Sequence, residues 1–341
     1  MNRKWKVFVN EPVDHEGTTH RMLEERGCEV ILGRPIWEHP GWKYTDEELI
    51  EAGRDADAVM GASRESYTRK FMESAKRLRI ISKYGIGVEK IDVQAATDHG
   101  ILVANTPDTH NDTVAEHTIA LILGLTKRLF FATQYARDGG WRDNNVETGE
   151  LLGKTLGIVG IGRVGGELVE RLKGWKMRIL AYDPYKPPEH IEKSGAVPVG
   201  LEQLLEESDI VSIHVVCNDE TRGMIGEEQL RLMKKNALII NTSRGEVLDE
   251  NSLIKALKEG WIGGAGLDVV YPEPPDKANP LFQMENVILT PHIAGWSSEA
   301  LSRFLNKAAK NLMNALMGEL PESVVNREAV PKWKARIEEY E

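Results

Sequence analysis

Cysteine is nearly absent: Cys28 and Cys217 are the only two in 341 residues. They lie far apart and lack the spacing of metal ligands. That excludes a disulfide framework and makes a reducing cytoplasm the expected compartment. Positive charge is also short, with 43 Lys and Arg against 53 Asp and Glu, a net charge of −10. A nucleic acid or an anionic membrane as the main partner calls for a basic surface, so neither is expected. No apolar run approaches the roughly 18 residues of a membrane span. The N-terminal Met1–Val9 lacks the apolar block of a signal peptide and reads directly into a strand. No fixed-period repeat is visible. What is present is a hydrophobic content of 41%, enough for a core in each half. At about 150 residues per domain the length predicts two domains.

Short apolar runs alternate with amphipathic stretches, the pattern of α/β units around parallel sheets. Strands are predicted at Trp5–Val9, Glu29–Leu32, Ala56–Met60, Arg79–Ser82 and Ile101–Ala104, with helices such as Thr18–Arg26 and Asp92–Asp98 between them. One long helical run follows, from Asp112 to Arg137. A second series places strands at Thr155–Gly160, Arg178–Tyr182, Ile210–Val215, Ala237–Asn241, Gly264–Asp268 and Val287–Leu289. Its helices include Val164–Lys173, Leu201–Glu206, Glu227–Met233 and Asn251–Glu259. Another long helix is expected over Ser297–Met317, and the polar tail Lys332–Glu341 reads as a surface segment. The simplest architecture is two domains: a discontinuous one of residues 1–104 and 297–341, and a second of residues 105–296.

Thr155-Leu156-Gly157-Ile158-Val159-Gly160-Ile161-Gly162-Arg163-Val164-Gly165 is a strand running into G-x-G-x-x-G and then a helix. The motif alone is weak; here the whole βαβ context accompanies it. Gly160 permits the tight turn, Gly162 lets a pyrophosphate approach the backbone, and Gly165 permits close helix–strand packing. The helix N-terminus then offers unpaired N–H groups to phosphates. Asp183 stands 18 residues after Gly165, at the end of the next strand. A carboxylate there binds ribose hydroxyls and repels a 2′-phosphate, so NAD is expected over NADP. Two look-alikes fail. Gly149–Thr155 resembles a phosphate-binding loop but has one residue too few between its glycines and precedes a strand. Tyr182 and Lys186 have the spacing of a Tyr-x-x-x-Lys pair, yet they leave a strand and enclose Pro184.

Three later strands end in unusual polar residues: Asn241-Thr242-Ser243-Arg244-Gly245, Asp268-Val269-Val270-Tyr271-Pro272-Glu273-Pro274 and Leu289-Thr290-Pro291-His292-Ile293-Ala294. In an open parallel sheet the strand C-termini share one edge, where ligands bind. Arg244, Glu273 and His292 therefore converge. The residue types suit hydride transfer at a carbonyl. A histidine exchanges the hydroxyl proton, a carboxylate orients the ring and favours imidazolium, and a guanidinium holds a carboxylate and the developing oxyanion. Each residue alone has an ordinary structural explanation, a loop cap or a solvated turn; their coincidence beside the fingerprint does not. His110 and His117 can share a helix face, but no third ligand stands near and no metal is expected.

Over nearly its whole length the chain resembles the D-isomer-specific 2-hydroxyacid dehydrogenase family. The similarity rests on Lys83–Asp92, Asn105-Thr106-Pro107, Val114-Ala115-Glu116-His117, the fingerprint and the Arg, Glu and His loops. It implies two Rossmann-like domains with parallel sheets, the discontinuous substrate domain flavodoxin-like, and a homodimer formed through the NAD-binding domain. It implies that Arg244 binds and polarises the substrate, that Glu273 pairs with the acid/base His292, and that the amides of Ile86 and Gly87 hold the substrate carboxylate. It also implies that Arg163 and Val164 touch the pyrophosphate, Asp183 the ribose and Asp268 the nicotinamide carboxamide; Thr242 and His292 complete the cofactor-facing set. Glu89-Lys90, Val216-Cys217 and Trp296 depart from the commoner family pattern. The expected activity is NAD-dependent interconversion of a small D-2-hydroxy acid and its 2-oxo acid. Phosphoglycerate dehydrogenases without a regulatory domain are closest in look, making 3-phosphoglycerate the first substrate expectation. Glyoxylate or hydroxypyruvate reduction is the alternative, and an NAD-responsive corepressor of the same fold is the non-enzymatic one.

Overall fold

The short apolar runs become strands of two separate, wholly parallel sheets. The computed structural model describes residues 4–38 and 43–340, which divide into two compact units, 1–110 with 298–341 and 111–297. In the first unit the order is β1 (Lys6–Val9), α1 (Thr18–Glu25), β2 (Glu29–Leu32), α2 (Asp46–Gly53), β3 (Ala58–Gly61), α3 (Arg69–Ser74), β4 (Ile80–Lys83), α4 (Val93–Asp98) and β5 (Leu102–Ala104). The sheet order β2-β1-β3-β4-β5 is that of flavodoxin-like folds.

Alternation along each strand feeds a core on each face of this sheet. Val7, Val9, Met60, Ile80 and Leu102 face one side with α12 (Ser298–Leu316), which returns to this unit late in the chain. Phe8, Val59, Ile81 and Val103 face the other side with residues of α2, α3 and α4. The expected boundary at residue 104 lies six residues later in the structure. The stretch 105–110 is tied to α12, because Asn311, Lys307 and Arg303 donate to the carbonyls of Asn105, Pro107 and Thr109. The C-terminal tail departs from the surface segment expected for it. It forms α13 (Val330–Tyr340), in which Trp333 is fully buried in the core and Arg336 donates to the carbonyl of His99. One large indole outweighs the polarity of the rest of the segment.

The second unit contains α5 (Asn111–Thr126), α6 (Leu129–Arg137), β6 (Thr155–Val159), α7 (Arg163–Arg171), β7 (Arg178–Tyr182), α8 (Pro188–Ser194), β8 (Val197–Pro198), α9 (Leu201–Glu207), β9 (Ile210–Ile213), α10 (Glu227–Leu232), β10 (Leu238–Asn241), α11 (Glu250–Lys258), β11 (Gly264–Leu267) and β12 (Val287–Leu289). Its sheet runs β12-β11-β10-β9-β6-β7-β8. The order reverses between β6 and β9, the switch point at which doubly wound sheets take ligands. The long helix expected from Asp112 to Arg137 is broken into two. Arg128 adopts a left-handed conformation, φ 48°, with its guanidinium over the Phe131 ring and a bond to the carbonyl of Asn145. Among the described residues no helix is long and apolar enough to cross a membrane.

Candidate active site

The fingerprint folds as a strand, a turn and a helix. Gly160 has φ +91°, and a Cβ there would stand 2.9 Å from the carbonyl oxygen of His214; a Cβ on Gly165 would stand 2.3 Å from the carbonyl oxygen of Gly160. No side chain could occupy either place. A Cβ on Gly162 would meet nothing within 4 Å, so the space above this turn is open. No side-chain hydrogen bond caps α7, which starts at Arg163-Val164, and a helix N-terminus attracts an anion through its partial positive charge. The Asp183 carboxylate is fixed by this same loop: Oδ2 accepts from the Ile161 N–H at 3.1 Å and Oδ1 from the Tyr185 N–H at 3.0 Å. At the neighbouring strand end the half-buried His214 is bound to Ser212, and desolvation of its ring pushes its pKa down to about 4, so the ring is neutral. Open glycine turn, uncapped helix and oriented carboxylate all fit a dinucleotide.

The three catalytic candidates stand at the ends of adjacent strands. Asn241 shapes the loop after β10: its Nδ2 donates to the Arg244 carbonyl and its Oδ1 accepts from the Ser243 N–H and hydroxyl. Arg244 is half-buried and donates through Nη1 to the Ser243 carbonyl at 2.7 Å. Glu273 and His292 meet directly, with Nδ1 to Oε2 at 2.8 Å. Partial burial works to raise the Glu273 carboxyl. The hydrogen bond and charge of His292, the Val270 N–H and the Arg244 charge outweigh it, and the net shift is downward. Glu273 is therefore an ionised acceptor, and the His292 proton on this side sits on Nδ1. Nε2 meets no partner among the described residues and is the nitrogen open to a reacting group.

His292 adopts φ 55°, a left-handed conformation rare outside glycine. The residue that holds it there is Asp268. This side chain is 2% exposed, and its Oδ1 accepts from the Thr290 hydroxyl at 2.5 Å and the Ile293 N–H at 2.9 Å. Its Oδ2 accepts from the Ala294 N–H at 2.8 Å, and its carbonyl accepts from the His292 N–H at 2.8 Å. Of about four acceptor positions on a carboxylate, one on Oδ2 is left for another donor. Thr242 is 9% exposed and its hydroxyl meets that of Thr118 on α5 at 3.0 Å. Because Thr118 gives its proton to the Val114 carbonyl, Thr242 donates inward.

In the first unit, the loop after β4 has the Gly85 N–H bound to Thr106 Oγ1 and the Ile86 carbonyl to Asn105. The N–H groups of Ile86 and Gly87 donate to nothing among the described residues. His117, weighed above as a metal ligand, is bound to Thr290 at 2.9 Å, and no metal-holding group of acidic, His and Cys residues occurs among the described residues. The role of Thr290 escaped the sequence reading; its position two residues before His292, matching that of Thr242 before Arg244, was the available signal.

Residues 119–294 match the model for the NAD-binding domain of D-isomer specific 2-hydroxyacid dehydrogenases. The chain belongs to this family. A glyoxylate reductase from Korarchaeum cryptofilum is 44% identical over 318 residues, 91% of this chain and 95% of that one. A D-3-phosphoglycerate dehydrogenase from Methanocaldococcus jannaschii is 41% identical over 331 residues, 96% of this chain but 61% of the longer relative. A D-lactate dehydrogenase from Aquifex aeolicus, solved with NAD and lactic acid, superposes with a TM-score of 0.81 at 28% identity, covering 94% of this chain and 99% of that one. The protein is thus an NAD-dependent oxidoreductase with two Rossmann-like domains, and the nucleotide fits the residues of the second unit.

Proposed function

We propose that this dehydrogenase reduces a small 2-oxo acid to the 2-hydroxy acid, of D configuration where C2 becomes chiral, with glyoxylate and hydroxypyruvate the leading substrates. The Glu273–His292 pair carries the reading: an ionised carboxylate holds Nδ1 and leaves Nε2 open. The nicotinamide cofactor, when bound, would supply the hydride as NADH or take it up as NAD+. In reduction, protonated His292 gives its Nε2 proton to the carbonyl oxygen as charge develops there; in oxidation the neutral Nε2 takes the hydroxyl proton. Glu273 remains ionised in both directions and keeps the ring aligned. The Arg244 guanidinium binds the substrate carboxylate and steadies the negative oxygen. By the family resemblance the amides of Ile86 and Gly87, which donate to nothing among the described residues, would serve as further carboxylate donors. Gly160, Gly162, Arg163, Val164 and Gly165 would hold the pyrophosphate and Asp183 the ribose, while Thr242, Asp268 and His292 would face the nicotinamide.

The relatives named glyoxylate reductase support the substrate choice, because they match over nearly their full length. The phosphoglycerate dehydrogenase relative favours the second reading, 3-phosphoglycerate. NADH oxidation with glyoxylate, hydroxypyruvate and phosphohydroxypyruvate separates them. Preference for either of the first two supports the proposal, and turnover of the phosphorylated acid alone selects the second reading. NADH binding without turnover of any of the three rejects both and favours a corepressor-like role. A homodimer through the NAD-binding unit belongs to the same proposal: α6 buries none of its residues, and Phe130 and Trp141 are 67% and 82% exposed. A monomeric mass in solution rejects the dimer. The scarcity of cysteine fits a cytoplasmic setting.

A further inference from the structure

Helix α5 touches both catalytic loops with adjacent side chains. Thr118 accepts the hydroxyl of Thr242, two residues before Arg244, and His117 Nε2 meets the hydroxyl of Thr290, two residues before His292. The direction of the second bond follows from its neighbours. Thr290 has one hydroxyl proton, and the Asp268 carboxylate takes it at 2.5 Å. Thr290 must then accept from His117, whose Nε2 carries a proton. Without this donor the Thr290 hydroxyl has a competing acceptor, the Leu267 carbonyl at 3.4 Å. A turn toward that carbonyl strips Asp268 of its shortest bond and loosens the carboxylate that holds Ile293 and Ala294. His117 Nε2 is also 3.6 Å from Asp268 Oδ1, which adds to the hold whenever the ring is charged.

We propose that His117 is a positioning residue for the loop of His292, acting through the Thr290 hydroxyl on the Asp268 carboxylate. The inference rests on the role given to His292 above. His117→Leu removes the donor and lowers kcat about tenfold, the scale of one lost hydrogen bond, while KM for the 2-oxo acid changes far less. His117→Gln restores an N–H donor and recovers most of the loss. Thr290→Val behaves like His117→Leu, Thr290→Ser behaves like the unaltered enzyme, and the double variant His117→Leu/Thr290→Val loses no more than the worse single change. In spectra of protein carrying 15N-labelled histidine, the His292 ring signals move in His117→Leu and return in His117→Gln. This measurement needs no substrate, so absence of turnover would reject the proposed function and still leave this inference decided. Unchanged His292 signals and kcat in His117→Leu, or additive losses in the double variant, overturn it. If His117→Leu does not fold, the Thr290→Val and Thr290→Ser pair decides: equal kcat and equal His292 signals in the two overturn it.

Discussion

Asp268→Asn is the sharpest test of how the catalytic loop is held. The native carboxylate accepts three donors, two on Oδ1 and one on Oδ2, at 2.5–2.9 Å in a site 2% exposed. An amide has one accepting oxygen. If that oxygen takes the place of Oδ1, the new NH2 group faces the Ala294 N–H; if it takes the place of Oδ2, the NH2 group faces both Thr290 and Ile293. At least one buried backbone donor loses its acceptor, and the surviving bonds lose their charge assistance. A lost hydrogen bond to a charged group costs about 1.5–3 kcal/mol, which lowers the melting temperature of a unit this size by roughly 2–4 °C per kcal/mol. The loop pays a further cost that Asp268 ordinarily offsets, since a left-handed non-glycine residue carries about 1–3 kcal/mol of strain. With the clamp weakened by about 2 kcal/mol, His292 spends most of its time out of register, and kcat falls roughly 30-fold. Thermal unfolding and steady-state NADH oxidation, read on the same preparation, measure both effects. An Asn variant that melts with the unaltered enzyme and retains its kcat would refute the reasoning.

The other expected outcomes are more local. Glu273→Gln keeps partial activity, but because a neutral amide no longer favours the cation, the pH at which reduction falls off moves lower; a limb that stays or moves higher rejects the pair. In His292→Ala the proton donor is gone, and kcat drops about 10²–10⁴-fold in a pre-steady-state assay that also reports cofactor binding, which should persist. The unaltered enzyme should prefer NAD to NADP by about tenfold or more in kcat/KM, and Asp183→Ala should narrow that gap; equal use of both by the unaltered enzyme would count against the assignment of Asp183. Trp333→Ala should destabilise the first unit by about 3–5 kcal/mol, whereas Trp333→Phe should cost far less, because the indole Nε1 has no hydrogen-bond partner among the described residues to lose; calorimetry showing equal losses would put the burial argument in doubt.

What could be read from sequence depended on whether the signal was local. β7 and β12 occupy the predicted spans, and β9 falls within its own, because each is an apolar run cut off by polar residues. β8 was missed: a two-residue edge strand containing Pro198 has no periodicity to detect. The break between α5 and α6 has no proline or glycine to announce it. Arg128 turns because its side chain finds Phe131 and Asn145, partners known only once the chain is folded. The same distinction runs through the site. Arg244, Glu273 and His292 each end a strand at one sheet edge, so their convergence follows from topology. The bond from His117 to Thr290 spans 173 positions and leaves no local trace, and both oxygens of Asp268 face the loop it supports.

The polar groups of the second unit's site therefore divide by where their hydrogen-bonding capacity goes. Asp268 and Asn241 use nearly all of it inward, on the backbone of the loops that carry His292 and Arg244. Thr242 and Thr290 pass the hold to α5. His292 differs: one nitrogen is tied to an ionised carboxylate and the other meets no group among the described residues. Catalysis by proton transfer requires this asymmetry, since a ring bound at both nitrogens cannot exchange a proton with substrate and a ring bound at neither has no fixed direction. The left-handed backbone at His292 makes the same point energetically. A strained residue persists only where its surroundings over-determine it, and here three N–H groups and one hydroxyl converge on Asp268 to do so. Stability invested beneath the loop is what leaves Nε2 both open and aimed.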